Sequence, residues 1–246
     1  MVLVACTGGN NSYAGSPTAP SHEIWNGLLT KYVEDDGLVD YQGFISEKTT
    51  LEKYLDILSN NAPSDNWSDN EKLAYWINAY NAFTVKLIVD NYPLKSIKDL
   101  NPALSVPTVN TIWAKDWFKI GGEDFSLDRI EHKILRKEFE EPRIHFAVNC
   151  ASFSCPVLRP EAYTASQIDT QREEQARLFL NDTKRNTITA DRIQVSKIFS
   201  WFGGDFKKGQ SLVQFINRYT DVDINDKAKV KFMKYDWSLN DIKRAN

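Results

Sequence analysis

Nucleophilic and proton-carrying side chains concentrate in two short segments of this chain. One is Ser126-Leu127-Asp128-Arg129-Ile130-Glu131-His132. The other runs Arg143-Ile144-His145-Phe146-Ala147-Val148-Asn149-Cys150-Ala151-Ser152-Phe153-Ser154-Cys155-Pro156. The whole chain holds 3 Cys and 3 His. Cys6 and His22 belong to a polar N-terminal stretch, so the remaining cysteines and histidines lie in or beside these two segments. A thiolate is the reactive form of cysteine, and a nearby imidazole or helix N-terminus lowers its pKa. Cys150 is followed by Ala151 and Ser152, small enough for a tight turn and a close substrate approach. Cys155 precedes Pro156, and proline favours a first helical position, which would set the sulfur over backbone N–H groups. Four readings follow. The first is a Cys–His nucleophilic site, with His132 or His145 as base and Glu131 or an Asn orienting it. The second is a Cys150–Cys155 disulfide. The third is a zinc site of Cys150, Cys155, His132 and His145, although the cysteine gap is looser than in paired knuckles. The fourth is a pair of inert buried thiols.

The elements that must position these groups are read from periodicity. From Ser21 to about Asn60 the pattern is helical: Ile24, Leu28 and Tyr32 share one face, and Leu51, Tyr54, Leu55 and Leu58 another. Ser68 and Glu71 make a capping box. The helix it opens carries Leu73, Trp76, Ile77, Tyr80, Thr84, Leu87 and Ile88 at helical spacing, so it is central and buried and ends before Pro93. Asn78 and Asn81 sit three apart on its polar side, where their amides orient a loop, hold an oxyanion or bind buried backbone. A Pro-rich loop is expected over 101–111. Trp117 to Phe125 reads as a hairpin turned by Gly121-Gly122. Ser126 caps a helix to about Glu140, in which Glu131 lies beside the apolar stripe of Leu127, Ile130 and Ile134 and wants a partner. Arg143 to Val148 is expected as a strand, with Ile144, Phe146 and Val148 on one face and Arg143, His145 and Ala147 on the other. Ser166 to Asn181 is an amphipathic helix. A second hairpin (186–189 with 192–196), a helix from Ser211 to Tyr219 and a last strand from Val230 to Tyr235 follow. Helices and strands mix without βαβ alternation, so the class is α+β in a single domain.

At 246 residues, 42% hydrophobic and 26% charged, the chain is a globular domain with ample core. The net charge is −3 with both signs interspersed, and no basic tract tracks phosphates, which argues against nucleic acid. The 7 Trp, 10 Tyr and 13 Phe fill cores first, and Trp113, Trp117 and Trp201 are candidates to line a groove. Leu3-Val4-Ala5-Cys6 resembles the end of a lipoprotein signal whose cysteine is lipidated. Thr7 to Ser21, rich in Gly, Ser, Thr, Asn and Pro, suits a flexible tether. Five residues precede Cys6, without a basic or full apolar segment. The expectation is residues 1–20 as anchor and tether, 21–246 as the domain, a membrane reached through the lipid at Cys6, and a location at the bacterial cell envelope. No other segment approaches a bilayer-spanning length.

Several motifs, in order, resemble the domain of unknown function 547 family. They are Trp76-Ile77-Asn78-Ala79-Tyr80-Asn81-Ala82, the 126–132 segment, Arg143 to Ala147, Asn149-Cys150-Ala151-Ser152, Ser154-Cys155-Pro156 and Glu161-Ala162-Tyr163. Phe199-Ser200-Trp201-Phe202 and Tyr235-Asp236-Trp237 continue the likeness, which covers about 60–240. The resemblance implies a secreted or lipid-anchored protein with a papain- or transglutaminase-like thiol hydrolase arrangement. It implies Cys150 as nucleophile, His132 or His145 as base and Glu131 as orienting acid, with Asn78, Asn81, Asn149 and Cys155 in support. The expected activity is hydrolysis or acyl transfer at peptide or amide bonds, without a cofactor. The alternative is a non-catalytic binding or scaffolding lipoprotein with a Cys150–Cys155 disulfide.

Overall fold

A computed structural model describes residues 15–104 and 110–245. The anchor motif at Cys6 lies outside the described residues, as does part of the expected 101–111 loop. Among the described residues no helix is long and apolar enough to cross a membrane.

The N-terminal half is a helical layer of α1 (Glu23–Tyr32), α2 (Tyr41–Ser46), α3 (Lys48–Asn60) and α4 (Asp69–Asn91). Ser16, inside the expected 1–20 tether, is hydrogen-bonded to the domain: it pairs with Ala62 and accepts from Ser64 and from the Trp67 indole. His22 is not loose either: its ring bonds the Tyr54 hydroxyl at 2.8 Å. The Ser68–Glu71 capping box forms as expected and starts α4. Every residue from Leu73 to Val85 in α4 is buried, so this helix is covered all round by α2, α3 and the elements that follow. The hairpin β1 (Phe118–Ile120) and β2 (Glu123–Phe125) is antiparallel. Gly121 and Gly122 have φ of 60° and 86°, the left-handed pair that a tight two-residue hairpin turn needs.

Two segments depart from the expected elements, and both carry site residues. The helix after Ser126 is π-helical over Arg129–Leu135 and returns to α geometry only in α5 (Arg136–Glu138). Its i→i+5 bonding widens the turn, so faces projected at α-helical spacing do not apply, and Glu131 is drawn into the interior at 8% exposure. The expected strand at 143–148 is one helical turn, α6 (Ile144–Ala147). Pro142 and the Glu141 carboxylate, which accepts the Arg143 N–H, start that turn. All four residues of α6 are buried, so the apparent alternation was too short to distinguish a strand.

The second half packs α7 (Ile168–Asn181) against α6 and adds a mixed three-stranded sheet of β3 (Thr187–Ile188), β4 (Arg192–Val195) and β5 (Lys229–Phe232). β3 pairs with β4 antiparallel and β4 with β5 parallel. α8 (Ile198–Trp201), α9 (Gly203–Phe206) and α10 (Leu212–Asn217) close over it. The core has two apolar clusters. One surrounds α4, and the other gathers Phe146, Phe179, Phe199, Phe206 and Phe215.

Asn81 joins α4 to the segment after α6: its amide donates to the Ala147 carbonyl at 2.9 Å, and its carbonyl accepts the Asn149 N–H at 2.8 Å. Both backbone groups are buried and would lose their partner together. Asn81→Ala should therefore cost about 2–4 kcal/mol, read as a lower urea midpoint at unchanged slope.

Candidate active site

Cys150 stands on an irregular buried loop, 148–156, that leaves α6. Asn149 closes the loop on itself, donating to the Pro156 carbonyl at 2.7 Å and accepting the Ala151 N–H at 2.8 Å. Ala151 sits at φ 59°, a left-handed conformation that costs a residue with a Cβ about 1–3 kcal/mol. A larger β-branched residue would not enter it, so the small residue after Cys150 has a backbone reason. The C-terminal segment lies along the same loop: Phe153 donates to Ser238, Ser154 to Asp236 and Asn240 to Ala151.

This geometry brings the two sulfurs to 3.0 Å as free thiols in hydrogen-bond contact with each other. The Ser152 and Tyr235 hydroxyls reach the Cys150 sulfur at 3.2 and 3.3 Å. The Cys155 hydrogen bond, followed by those of Ser152 and Tyr235, lowers the Cys150 thiol to about 7 against the opposing effect of burial. Burial first, then the hydrogen bond and charge of Cys150, push the Cys155 thiol well up. Pro156 starts no helix. The group over the Cys155 sulfur is instead the Cys150 N–H at 3.0 Å.

Cys150 opens on a cavity of about 640 Å³ between the two core clusters. Tyr80, Glu131, His132 and His145 reach the same cavity, and Trp113, Trp201 and Trp237 wall it. Trp117 packs on Phe83 and Phe118 and takes no part. Glu131 is hydrogen-bonded to the Tyr80 hydroxyl, and its carboxyl is raised to about 8 by burial and then by the Cys150 and Asp128 charges. It is therefore mostly protonated at neutral pH.

The histidines differ. His132 lies 3.7 Å from Asp128 and accepts from the Arg136 guanidinium at 3.3 Å. Burial, then Arg136, lowers it to about 4. His145 is 3% exposed, stacked on Phe202 at 4.0 Å, with Nε2 2.8 Å from Asp205. Burial lowers its pKa despite Asp205, so the ring is neutral, Nε2 carries the proton toward the carboxylate, and Nδ1 is a bare lone pair. That Nδ1 is buried and has no hydrogen-bond partner. Asp205 also takes the Arg136 fork at 2.6 and 3.0 Å, and is held well below the usual carboxylate range by His145 and then Arg136.

Cys150, Cys155, His132, His145 and Glu131 thus share one cavity, although neither imidazole is hydrogen-bonded to a sulfur. Asn78 and Asn81 face backbone instead. Asn78 clasps Tyr163 through both its amide groups at 2.7 and 3.0 Å. Among the described residues no group of three or more His, Cys, Asp or Glu is placed to hold a metal ion. Sequence reasoning missed Asp205 as the partner of His145. It singled out Tyr235 only as part of a motif. Gly203-Gly204-Asp205 carries no spacing signal toward His145, 60 residues earlier.

The Glu131 carboxyl is raised above its usual 4.5, so its contribution to stability is complete below about pH 4.5 and lost as pH rises through about 8. Glu131→Gln should remove that slope. Between about pH 5 and 9 the unmodified protein should lose about 3–5 kcal/mol more stability than the variant, by urea unfolding at each pH.

No curated protein and no solved structure matches this chain. Residues 64–180 match the family model described as "Protein of unknown function, DUF547". The matched span takes in α4, the π-helical turn, Cys150 and Cys155, so this part of the chain is similar to that family.

Proposed function

We propose that this protein is a thiol-dependent hydrolase or acyl-transferase acting on peptide or amide bonds, with Cys150 as nucleophile. The observation that carries the reading is the Cys150 sulfur on the cavity wall, with three hydrogen-bonding neighbours that favour its thiolate near neutral pH. His145 is the base of choice over His132. Its Nε2 is fixed by Asp205 and its Nδ1 lone pair is unspent, whereas His132 accepts from Arg136. Asp205, rather than Glu131, orients the imidazole.

In the proposed reaction the thiolate attacks the acyl carbon and the carbonyl oxygen takes the charge. The protonated Glu131 carboxyl donates a hydrogen bond to that oxygen, as a neutral acid in an apolar site can. The imidazole delivers the thiol's proton to the leaving amine, and water or a second amine then releases the acyl group. No His–Cys hydrogen bond exists in the resting arrangement, and such bonds often tighten only when substrate is present. The Leu3-Val4-Ala5-Cys6 motif supports placing this activity on a membrane at the cell envelope through a lipid on Cys6. The second reading, a non-catalytic binding protein, draws on the same absent imidazole–sulfur bond and on the contact between the two sulfurs.

Iodoacetamide labelling against pH, mapped by mass spectrometry, tests the nucleophile. Cys150 should label with a midpoint near 7, against about 8.5 for an ordinary cysteine. Tyr235→Phe should raise that midpoint by about half a unit to one unit. p-Nitrophenyl acetate should give a burst of p-nitrophenol stoichiometric with protein, absent in Cys150→Ala and slowed about 10²–10⁴-fold in His145→Ala. An ordinary midpoint together with no burst would leave the binding reading in its place. The anchor has its own check: an alkyne fatty acid fed to cells expressing the protein from its own gene should label it, and Cys6→Ala should abolish the label.

A further inference from the structure

The two cysteines differ in a way that acyl transfer does not need. Both line the cavity, but Cys150 is half-buried while Cys155 is 4% exposed. Their sulfurs are 3.0 Å apart, and a disulfide needs about 2.05 Å. The loop carrying them is held across its base by Asn149 and along its length by the C-terminal segment. The sulfurs can therefore close by a shift of about 1 Å without refolding the segment. The Cys150 backbone N–H already points at the Cys155 sulfur, where it would steady a thiolate.

We propose that Cys150 and Cys155 form a dithiol–disulfide exchange couple that reduces a disulfide-bonded substrate entering the cavity. Cys150 thiolate attacks one sulfur of the substrate disulfide. The substrate S–S bond breaks, a mixed disulfide forms, and one substrate thiolate departs, taking up from solvent the proton that Cys150 released on ionising. Cys155 then loses its proton and attacks the Cys150 sulfur. The mixed disulfide breaks, the Cys150–Cys155 bond forms, and the second substrate thiolate leaves and takes that proton. The protein dithiol loses two electrons and two protons, and the substrate disulfide gains both.

The order of the two attacks follows from their surroundings. Cys150 is the reachable sulfur and the one whose thiolate its neighbours favour. The charge on Cys150 is one of the causes that keep Cys155 protonated. Once Cys150 enters the mixed disulfide that charge is gone, and Cys155 ionises more readily when its attack is needed. This chemistry does not rest on acyl transfer, and a failed ester burst would leave it standing.

The test is exposure of the reduced protein, Cys155→Ser and Cys150→Ser to glutathione disulfide, followed by acid quench and intact mass. The unsubstituted protein should end two hydrogens lighter with no lasting adduct. Cys155→Ser should accumulate one glutathione on Cys150, and Cys150→Ser should react at least about ten-fold more slowly. Cys155→Ala repeats the measurement without a buried hydroxyl. A glutathione adduct that persists on the unsubstituted protein as it does on both Cys155 variants would overturn the proposal, because no resolving thiol would be acting. So would equal rates for Cys150→Ser and Cys155→Ser.

Discussion

Residues 148–156 pass through the interior with no ladder of their own to satisfy their backbone. Buried N–H and C=O groups left unpaired are costly, so other parts of the chain must supply partners. Asn81 comes from α4, Asn149 from the loop itself, and Ser238, Asp236 and Asn240 from the C-terminal segment. Asn240 is in turn gripped by the Tyr41 hydroxyl at 2.7 Å. The loop's shape is thus set by side-chain amides and a returning strand-like segment. The left-handed Ala151 persists because its N–H and its carbonyl are both held. The position of the Cys150 sulfur follows from that shape.

A second constraint is where charge is tolerated. Arg136 leaves the π-helical segment and is neutralised by Asp205, which then has a second oxygen contact to spare for His145. Burial keeps the imidazole neutral against the pull of Asp205, and the Asp205 contact at Nε2 leaves Nδ1 buried and bare. Glu131, drawn in by the same widened turn and hydrogen-bonded to the neutral Tyr80 hydroxyl, is buried and so keeps its proton near pH 7. The π-helical segment therefore does two things: it buries an acid that stays protonated and presents a cation that is already paired. An α-helical course would place Glu131 beside the apolar stripe, nearer to solvent.

The sequence made the frame legible and parts of the site. The capping box at Ser68, the helix it opens, the Gly121-Gly122 hairpin and the mixed α+β class all follow from local rules that tertiary context did not override. Cys150, Cys155, Glu131 and the two histidines, singled out from two dense polar segments, line one cavity. The π-helical turn was not readable, since its residues carry ordinary helical periodicity. The helical turn at Ile144–Ala147 was hidden by an accidental alternation over a few residues. Asn78 and Asn81 read from the sequence either as donors for chemistry or as partners of buried backbone, and the fold gives them the second role. Asp205 was invisible because its role depends on the docking of α9 against α6, a contact between distant segments.

The cavity also lies where the two apolar clusters meet, and this divides the site's parts between them. Tyr80 belongs to the cluster around α4, whereas His145 stacks on Phe202 and neighbours Phe206 in the second. Tyr235 packs against the second cluster and yet bonds to Cys150 and Ser152 on the loop. Phe146 sits in the second cluster while its neighbours Ile144 and Ala147 sit in the first. α6 is the stitch between the two cores, and His145 and Cys150 lie on it and just beyond it. A relative movement of the two clusters would be felt along α6, because close-packed cores move as units. The placement of Cys150 and His145 therefore depends on α6 being held by both cores.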